Sequence, residues 1–316
     1  ENLAAIMAAS PLLLLLLAPP TLALRATLPA EPTRTRAPSS PRRPLLATPS
    51  AASVRAAVRL ALPAPRGSLT RVVHRVADAA AVAGFYAGAF GFQAASVEGA
   101  DGRERQLLTG AGKSLQLELI GTEGALFNEG ASYKGLSIRV PDVAAAVAAA
   151  VDNGGSVLED AKEILHGPSN QPVEADDVIT PVMEAVVADP NGFPVHLYQA
   201  NCSESAICGV RLDVYEWKKS SEWYQSELGW KTLRWQSHVP RHASLSVLIG
   251  GPESEGTIGP VGALSEDQPS PLISLRYVYG SPAPKKSSAL EALVLAAGDG
   301  SPTELKDPDA NSIQLV

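Results

Sequence analysis

The sequence predicts an α+β protein built from four βαβββ modules that are arranged as two tandem domains. The main observation is a signature that occurs twice: a strand end, an aromatic pair within a helix, a glycine among bulky apolar residues, and a later Asp-Pro turn. The copies comprise residues 74–78, 85–86, 90–92 and 189–192, and residues 212–214, 223–224, 228–230 and 307–309. The spacing between Tyr86 and Tyr224 is that of a whole small domain, not of a short structural repeat.

Hydrophobic periodicity predicts the elements of the first domain. Residues 69–76 are rich in β-branched residues and partly alternate, which is typical of a strand. Residues 79–90 have apolar side chains at helical spacing, and Gly91 follows where a helix C-cap is expected. Strands near 93–97, 106–109 and 114–120 complete the first module. The second module is predicted as a strand over 136–140, a helix over 143–153, and strands near 156–158, 183–187 and 195–198.

The second domain repeats this pattern less clearly. Residues 209–249 predict the third module, with a helix over 217–228, and the fourth is predicted as a strand over 272–278, a helix over 288–297 and a hairpin around 307–310. The predicted domains are residues 68–200 and 207–316, joined by a short polar linker. Cys202 and Cys208 lie at the joint between the two domains, a pattern that favours two free thiols in a reducing compartment over one short disulfide loop.

Charge is distributed unevenly along the chain. The formal net charge is −7, yet residues 1–66 hold eight arginines and only Glu1 and Glu31 as acidic residues. The remainder is therefore strongly acidic, which argues against nucleic acid as a partner.

The N-terminal region is predicted to be targeting sequence. Residues 1–24 contain a six-leucine run at 12–17 that is too short to span a bilayer but has the length of a signal-peptide core. Residues 25–67 are rich in Arg, Ser, Pro and Ala and poor in acids, as in a disordered transit peptide. Together they resemble the bipartite plastid address of algae with secondary plastids, and the mature form is predicted to have no membrane association. Secretion with a disordered pro-segment is the alternative.

Four stretches carry a family resemblance: HRVAD at 74–78, FYAGAFGF at 85–92, IRVPDVAAAVAAAVDNGGSV at 138–157, and ADPNGFPVHLYQ at 188–199. With the module pattern over residues 68–316, the chain resembles the vicinal oxygen chelate superfamily and, within it, two-domain glyoxalase I. The resemblance implies Ni²⁺ or Zn²⁺ in the concave face of a curved sheet. It also implies glutathione-dependent isomerisation of 2-oxoaldehyde hemithioacetals such as that of methylglyoxal, the reaction of a lactoylglutathione lyase. Fold alone does not decide activity.

The family's ligand positions can be matched to this chain one by one. In the first domain they correspond to Arg71, Glu118, Gly135 and His196, and in the second to Gly209, Gln314 and, approximately, Val247 and Ile273. The resemblance makes Glu118 a metal ligand and the catalytic base, His196 a metal ligand, and Gln314 a possible one. It implies sites assembled from the first and fourth modules and from the second and third, and pairing within the first domain is the alternative. His74 is expected on the opposite face of its strand from Arg71, because strand side chains alternate.

Arginines occupy the region where a metal would bind. A guanidinium cannot ligate a metal, and Arg71 beside Glu118 predicts a salt bridge in the metal's place. We expect Arg71, Arg75, Arg139 and Tyr198 to bind substrate, together with Gln116, Glu118, Ser137 and His196 in one pocket. Such a pocket favours a small anionic or glutathione-conjugated ligand. The alternatives are that the arginines form structural bridges, and that the protein is a non-catalytic ligand-binding or scaffold protein with a degenerate metal site.

Overall fold

The structure, a computed structural model, describes residues 67–99, 101–112, 115–123, 130–166, 180–238, 243–254, 271–297 and 302–316. These residues all belong to one compact unit, residues 51–316. The predicted targeting segments, apart from Gly67, lie outside the described residues, so the plastid address stays a prediction. In the described part of the chain, no helix has the length and apolar character needed to cross a membrane.

Each of the first three modules is a strand, a helix and three further strands. The first contains β1 (Leu69–Val76), α1 (Ala79–Phe90), β2 (Gln93–Glu98), β3 (Glu104–Thr109) and β4 (Gln116–Gly121). The second contains β5 (Tyr133–Val140), α2 (Val143–Asp152), β6 (Ser156–His166), β7 (Thr180–Ala188) and β8 (Pro194–Gln199). The third contains β9 (Ala206–Asp213), α3 (Trp217–Leu228), β10 (Lys231–Ser237), β11 (Ser244–Gly250) and β12 (Leu272–Val278).

The fourth module differs from the sequence prediction. It consists of β13 (Leu290–Leu295), β14 (Thr303–Lys306) and β15 (Ser312–Leu315). The helix predicted over 288–297 is therefore wrong: Leu290–Leu295 is a strand that pairs with β1 on one side and β15 on the other. Its Ala- and Leu-rich sequence suits a helix, but pairing with distant strands overrides local propensity. The strand predicted over 272–278 belongs to the third module.

The modules combine into two sheets across the predicted domains. The described strands form a seven-stranded sheet in the order β14-β15-β13-β1-β4-β3-β2 and an eight-stranded sheet in the order β10-β11-β12-β9-β5-β8-β7-β6. The first sheet thus unites the first and fourth modules, and the second unites the second and third. The linker predicted over residues 201–206 lies between β8 and β9 and includes the first residue of β9. These two strands lie on either side of β5. The domain boundary itself stays a prediction.

One hydrophobic core lies on the helix side of both sheets. α1 packs against α2 and against β2, β3 and β4, while α2 packs on β6–β8 and α3 on β10–β12. The predicted cap of α1 is confirmed, because Gly91 has φ 73° and its N–H bonds back into the last turn. On β4, Leu117 and Leu119 are fully buried in this core, so Gln116 and Glu118 point to the other side of the sheet, as alternation predicts.

The Asp-Pro turn of the repeated signature fixes a hairpin and connects it to another module; we call this arrangement the staple. Asp189 Oδ1 accepts the N–H groups of Asn191 and Phe193 at 2.8 and 3.0 Å, which fixes the β7–β8 turn, and Gly192 has φ 82°. The Asn191 side chain then accepts Ala77 N–H at 2.9 Å, directly after β1. This ties the hairpin of the second module to the first strand of the first module.

The second copy makes the same contacts. Asp307 Oδ1 accepts the N–H groups of Asp309 and Asn311 at 3.0 and 2.8 Å. The Asp309 side chain accepts Tyr215 N–H at 2.9 Å, just after β9. In this copy the buried Tyr224 hydroxyl also donates to Asp307 Oδ2 at 2.9 Å. The Asp-Pro turns therefore connect the two modules within each predicted domain. The sheets connect the two predicted domains to each other.

Candidate functional site

The predicted site residues lie on two different sheets. We call the side of each sheet that faces away from the helices its helix-free face. Arg71, Gln116 and Glu118 lie on the helix-free face of the seven-stranded sheet, and Arg75 extends from the same face of β1. Ser137, Arg139, His196 and Tyr198 lie in register on β5 and β8, in the eight-stranded sheet. The expectation of one pocket containing all of them is therefore wrong, because the first and second modules do not share a sheet.

The Glu118 carboxylate is held by two arginines. Arg71 Nη1 donates to Glu118 Oε2 at 2.6 Å, which confirms the predicted salt bridge. Arg105 Nη1, from the neighbouring strand β3, donates to Glu118 Oε1 at 2.5 Å. Arg105 in turn contacts Asp101 at 3.1 Å. Each oxygen of Glu118 is thus bound by one guanidinium group, and the side chain is only 5% exposed to water.

This environment fixes the ionisation of Glu118. Burial alone would raise the pKa of its carboxyl group, but the hydrogen bonds and charges of Arg105 and Arg71 outweigh burial and lower that pKa. Glu118 is therefore a stabilised carboxylate with a weakened affinity for protons. A general base that works near neutral pH needs the opposite shift.

Apolar and paired groups surround this clamp. Val73, Ile120, Ala292 and Val294 form a small buried cluster of their own, separate from the main core. Arg75 forms an ion pair with Glu291, and both side chains are at least one-third exposed. Gln314 lies in β15, in register with Val294 of β13 and Glu304 of β14. β13 thus separates β15 from β1 in this sheet.

His196 lies in a different polar network. Arg211 Nη1, from β9, bonds to His196 Nδ1 at 2.8 Å, and His196 Nε2 bonds to the Lys134 carbonyl oxygen at 3.2 Å. Because arginine is always a donor, Nδ1 must be the acceptor, so the proton lies on Nε2. Burial lowers the pKa of His196 well below its ordinary value, and the Arg211 charge lowers it further. His196 is therefore a neutral imidazole with both nitrogens engaged.

Tyr198 and Cys208 extend this network. Arg211 Nη1 also donates to the Tyr198 hydroxyl at 3.2 Å. Burial raises the pKa of Tyr198 to about 12 and that of Cys208 to about 11. The Cys208 thiol contacts the Ser137 carbonyl oxygen at 3.4 Å. Both Cys208 and Cys202 are free cysteines, as the sequence favoured.

The remaining ligand positions carry no donor side chains. Gly135 has φ 111°, and a Cβ atom there would lie 1.9 Å from the Pro194 carbonyl oxygen, so β5 and β8 approach closely only because this residue is glycine. A Cβ at Gly209 would lie 2.4 Å from the Leu272 carbonyl oxygen. Val247 and Ile273 are fully buried in the main core, on the wrong side of their strands for a ligand.

His74 behaves as the alternation of β1 predicts. Its ring is buried on the helix side, where Nε2 lies 2.6 Å from the Tyr133 hydroxyl and the ring packs against Phe193. Burial lowers the pKa of His74 to about 3, so it is a neutral core residue. It belongs to neither helix-free face.

These side chains do not fit the Ni²⁺ or Zn²⁺ site that the resemblance implied. Such a site needs several N or O ligands that converge with free lone pairs. Here Glu118 is bound by two arginines, and His196 lies on the other sheet with its nitrogens bound to Arg211 and a carbonyl oxygen. Within the described residues, no group of three or more His, Cys, Asp or Glu side chains converges as a metal site would.

Two arginines at the centre of these networks were not predicted. Strand pairing brings Arg105 close to Glu118. β3 runs antiparallel to β4, and Arg105 lies two residues from Leu107, the register partner of Glu118. Arg211 lies on β9, opposite Gly135 of β5, across the predicted domain boundary. The buried neighbours Val210 and Leu212 give a local sign that Arg211 and Asp213 share the other face. Nothing local indicates which strand lies alongside.

Comparisons with known proteins agree with this architecture. Residues 71–198 match the family of glyoxalase-like domains. Glyoxalase I from Zea mays superimposes with a TM-score of 0.60 at 19% sequence identity, over 79% of this chain and 92% of that enzyme. A point variant of the same enzyme gives a TM-score of 0.61 at 19% identity, over 79% and 92% of the two chains.

More distant structures share the arrangement of strands. A putative dioxygenase from Bacillus subtilis superimposes with a TM-score of 0.51 at 12% identity, over 80% of this chain and 86% of that protein. No curated protein sequence matches the chain. Residues 71–198 thus match a glyoxalase-like domain, and the chain is an α+β protein whose tandem fold resembles that of glyoxalase I.

Proposed function

We propose that this protein is a metal-independent, ligand-binding relative of glyoxalase I and does not act as a lactoylglutathione lyase. The observation that carries this proposal is the double clamp on Glu118, in which Arg71 and Arg105 bind one carboxylate oxygen each at 2.6 and 2.5 Å. A metal at this carboxylate would have to displace two guanidinium groups and then lie among their positive charges. That arrangement opposes a divalent cation electrostatically.

The acid–base chemistry of the lyase reaction also argues for a binding role. Isomerisation of a hemithioacetal needs a base that takes a proton from carbon and returns it to the neighbouring carbon. Glu118 is the residue that the resemblance assigns to this step, yet its arginine partners lower its pKa. His196 does not replace it, since its Nδ1 accepts a hydrogen bond from Arg211 and its pKa is also lowered.

The ligand that we propose is a small anion. The helix-free faces carry Arg71, Arg105 and Arg75 on one sheet and Arg139, Arg211 and Arg276 on the other. Guanidinium groups bind carboxylates and phosphates through paired hydrogen bonds. A glutathione conjugate, with its carboxylates, belongs to this chemical class, so the binding of such a conjugate without turnover is compatible with the proposal.

A turnover assay tests the proposal. The full chain and its Glu118→Ala variant are assayed with methylglyoxal and glutathione, in buffer containing excess Ni²⁺ or Zn²⁺, beside an active glyoxalase I as a positive control. We expect both proteins to give only the uncatalysed background rate. Wild-type turnover that Glu118→Ala abolishes would overturn the proposal and establish the lyase.

We further propose, from the sequence alone, that residues 1–67 direct the protein to a plastid. The hydrophobic run followed by an Arg- and Ser-rich, acid-poor stretch supports this route. A fluorescent protein fused behind residues 1–67 should enter the plastid of an alga with secondary plastids. Secretion of the fusion would favour the alternative, a signal peptide followed by a pro-segment.

A further inference from the structure

One half-buried arginine of the eight-stranded sheet, Arg211, bonds to neutral groups. Arg71 and Arg105 bind Glu118, Arg75 binds Glu291, and Arg276 binds Asp213 through two hydrogen bonds of 2.7 and 2.9 Å. Arg211 instead bonds to two neutral groups, the His196 imidazole and the Tyr198 hydroxyl. Within the described part of the chain it has no carboxylate partner. A charge removed from water is normally paired, so this cation calls for an anion.

The anchoring of Arg211 leaves one edge of its guanidinium available. Both contacts use the same nitrogen, Nη1, at 2.8 and 3.2 Å. Nε and Nη2 have no partner in the described chain, and neither is among its buried unsatisfied atoms, so solvent reaches them. These two nitrogens form the edge that binds a carboxylate or phosphate through two parallel hydrogen bonds. His196 and Tyr198 therefore orient the group without consuming its binding edge.

The surroundings of Arg211 suit an anion. Its register neighbours are Gly135 of β5, which has no side chain, and Ser274 of β12, a hydroxyl donor. Arg276 lies two residues beyond Ser274 on the same face, and Lys134 adjoins Gly135.

Among the described residues, the acidic groups on this face include Asp213 and Glu184. Glu159 of β6 lies farther out and pairs with Lys162. Asp213 is already bound by Arg276 and, at 3.5 Å, by Lys134. Glu184 lies opposite Tyr198 on β7 and has contacts of its own. Counting Arg139, the cations on this face outnumber the carboxylates, and its centre is positive.

We infer that the helix-free face of the eight-stranded sheet is an anion site, in which the Nε–Nη2 edge of Arg211 binds a carboxylate or phosphate group of a small ligand. The proposed anion has the opposite charge to the divalent metal ion that the family resemblance implied. The inference rests on the proposed function and deepens it, because it assigns ligand binding to one sheet and one residue.

Anion titration tests the site directly. Inorganic phosphate and acetate are titrated separately into the full chain by calorimetry at constant ionic strength, in a buffer without competing anions. The test variant is Arg211→Gln, and the matched control is Arg103→Gln, which removes the same charge from the exposed turn between β2 and β3. We expect saturable binding of one anion per chain, weakened about tenfold or more by Arg211→Gln and unchanged in the control.

Two further arms keep the test decisive. If Arg211→Gln does not fold, Arg211→Lys keeps the charge but lacks the bidentate edge, and it should also weaken binding. Tighter binding of phosphate than of acetate identifies a phosphorylated ligand, and the reverse order identifies a carboxylate. No saturable binding of either anion at about 10 mM, or equal loss in the Arg103→Gln control, overturns the inference. Stoichiometric metal with lyase turnover would instead overturn the proposed function, so the two failures are distinguishable.

Discussion

The two helix-free faces of this protein differ in the partners of their arginines. On the seven-stranded sheet, Arg71 and Arg105 share the buried Glu118 carboxylate, and Arg75 binds Glu291. On the eight-stranded sheet, Arg211 rests on neutral His196 and Tyr198, while the nearby Asp213 is bound by Arg276 and Lys134. On the seven-stranded sheet, the arginines named here bind carboxylates of the protein itself. On the eight-stranded sheet, Arg211 bonds only to neutral groups among the described residues. Our proposal therefore places the ligand on the second face.

The comparison also separates ancestry from chemistry. Each sheet unites two modules by antiparallel pairing of their first strands, β1 with β13 and β5 with β9, so the two sheets share this arrangement although the fourth module has fewer described elements. They differ in a few side chains whose partners come from neighbouring strands. A scaffold match at 19% identity therefore says little about which charges meet on its faces.

The largest expected effect comes from removing the Glu118 carboxylate from the seven-stranded sheet. Glu118→Gln should lower the free energy of unfolding by about 2–3 kcal/mol, because it leaves Arg71 and Arg105 next to a neutral amide in a site that is largely buried. Urea denaturation followed by circular dichroism measures the loss. The matched control is Glu291→Gln, whose partner Arg75 is 45% exposed, and it should cost less than about 1 kcal/mol. Equal losses in the two variants would show that the clamp is not a structural element.

The second prediction uses the histidines of the two sheets. His74 is neutral because it is buried, whereas Arg211 adds to the effect of burial on His196. The folded pKa of His74, about 3, is below its unfolded value, so the unfolded chain binds the proton first as the pH falls. The stability that His74 contributes is thus complete above about pH 6.5 and decreases from there toward pH 3.

His74→Gln should remove this component. Between pH 6.5 and 5 the wild type should lose about 1.6 kcal/mol more stability than the variant does. The difference between the two proteins is the quantity to measure, because burial raises the pKa of Asp189 to about 6 and gives the opposite slope in both. Arg211→Gln should leave the His74 component unchanged. Parallel pH profiles of wild type and His74→Gln would contradict the assignment of a buried neutral histidine.

The smallest expected effect compares the two copies of the staple. Tyr224→Phe removes the 2.9 Å hydrogen bond to Asp307 and should cost about 1 kcal/mol of unfolding free energy. Tyr86 occupies the matching position and interacts with Asp189, but among the described residues its buried hydroxyl and Asp189 Oδ2 do not reach hydrogen-bond geometry. Tyr86→Phe should therefore change stability by less than about 0.5 kcal/mol. Thermal unfolding of the two variants distinguishes them, and a larger loss for Tyr86→Phe would reverse the comparison.

The sequence predicted most of the local structure and only part of the site. Periodicity and capping residues located α1, α2 and α3 and most strands, because these depend on neighbours along the chain. The alternation of β4 correctly turned Glu118 away from the core, and the Arg71–Glu118 bridge followed from it. The helix predicted over 288–297 was wrong, since β13 is stabilised by pairing with β1 from the other end of the chain.

The missed residues share one physical cause. Arg105 and Arg211 matter only through strands that lie beside them, and strand order is a non-local property of the fold. The single pocket expected around Arg71, Arg139 and His196 was wrong for the same reason. The roles predicted for Glu118, His196 and Gln314 in metal binding stay predictions of the resemblance, which the contacts of Glu118 and His196 do not favour.

Metal content tests the central claim most directly, namely that arginines have taken the metal's place at Glu118. The purified full chain and its Glu118→Ala variant are incubated with excess Ni²⁺ or Zn²⁺, dialysed, and measured by elemental analysis. The double clamp predicts that neither protein retains metal in stoichiometric amount. One tightly bound metal ion per chain, lost in Glu118→Ala, would contradict the account.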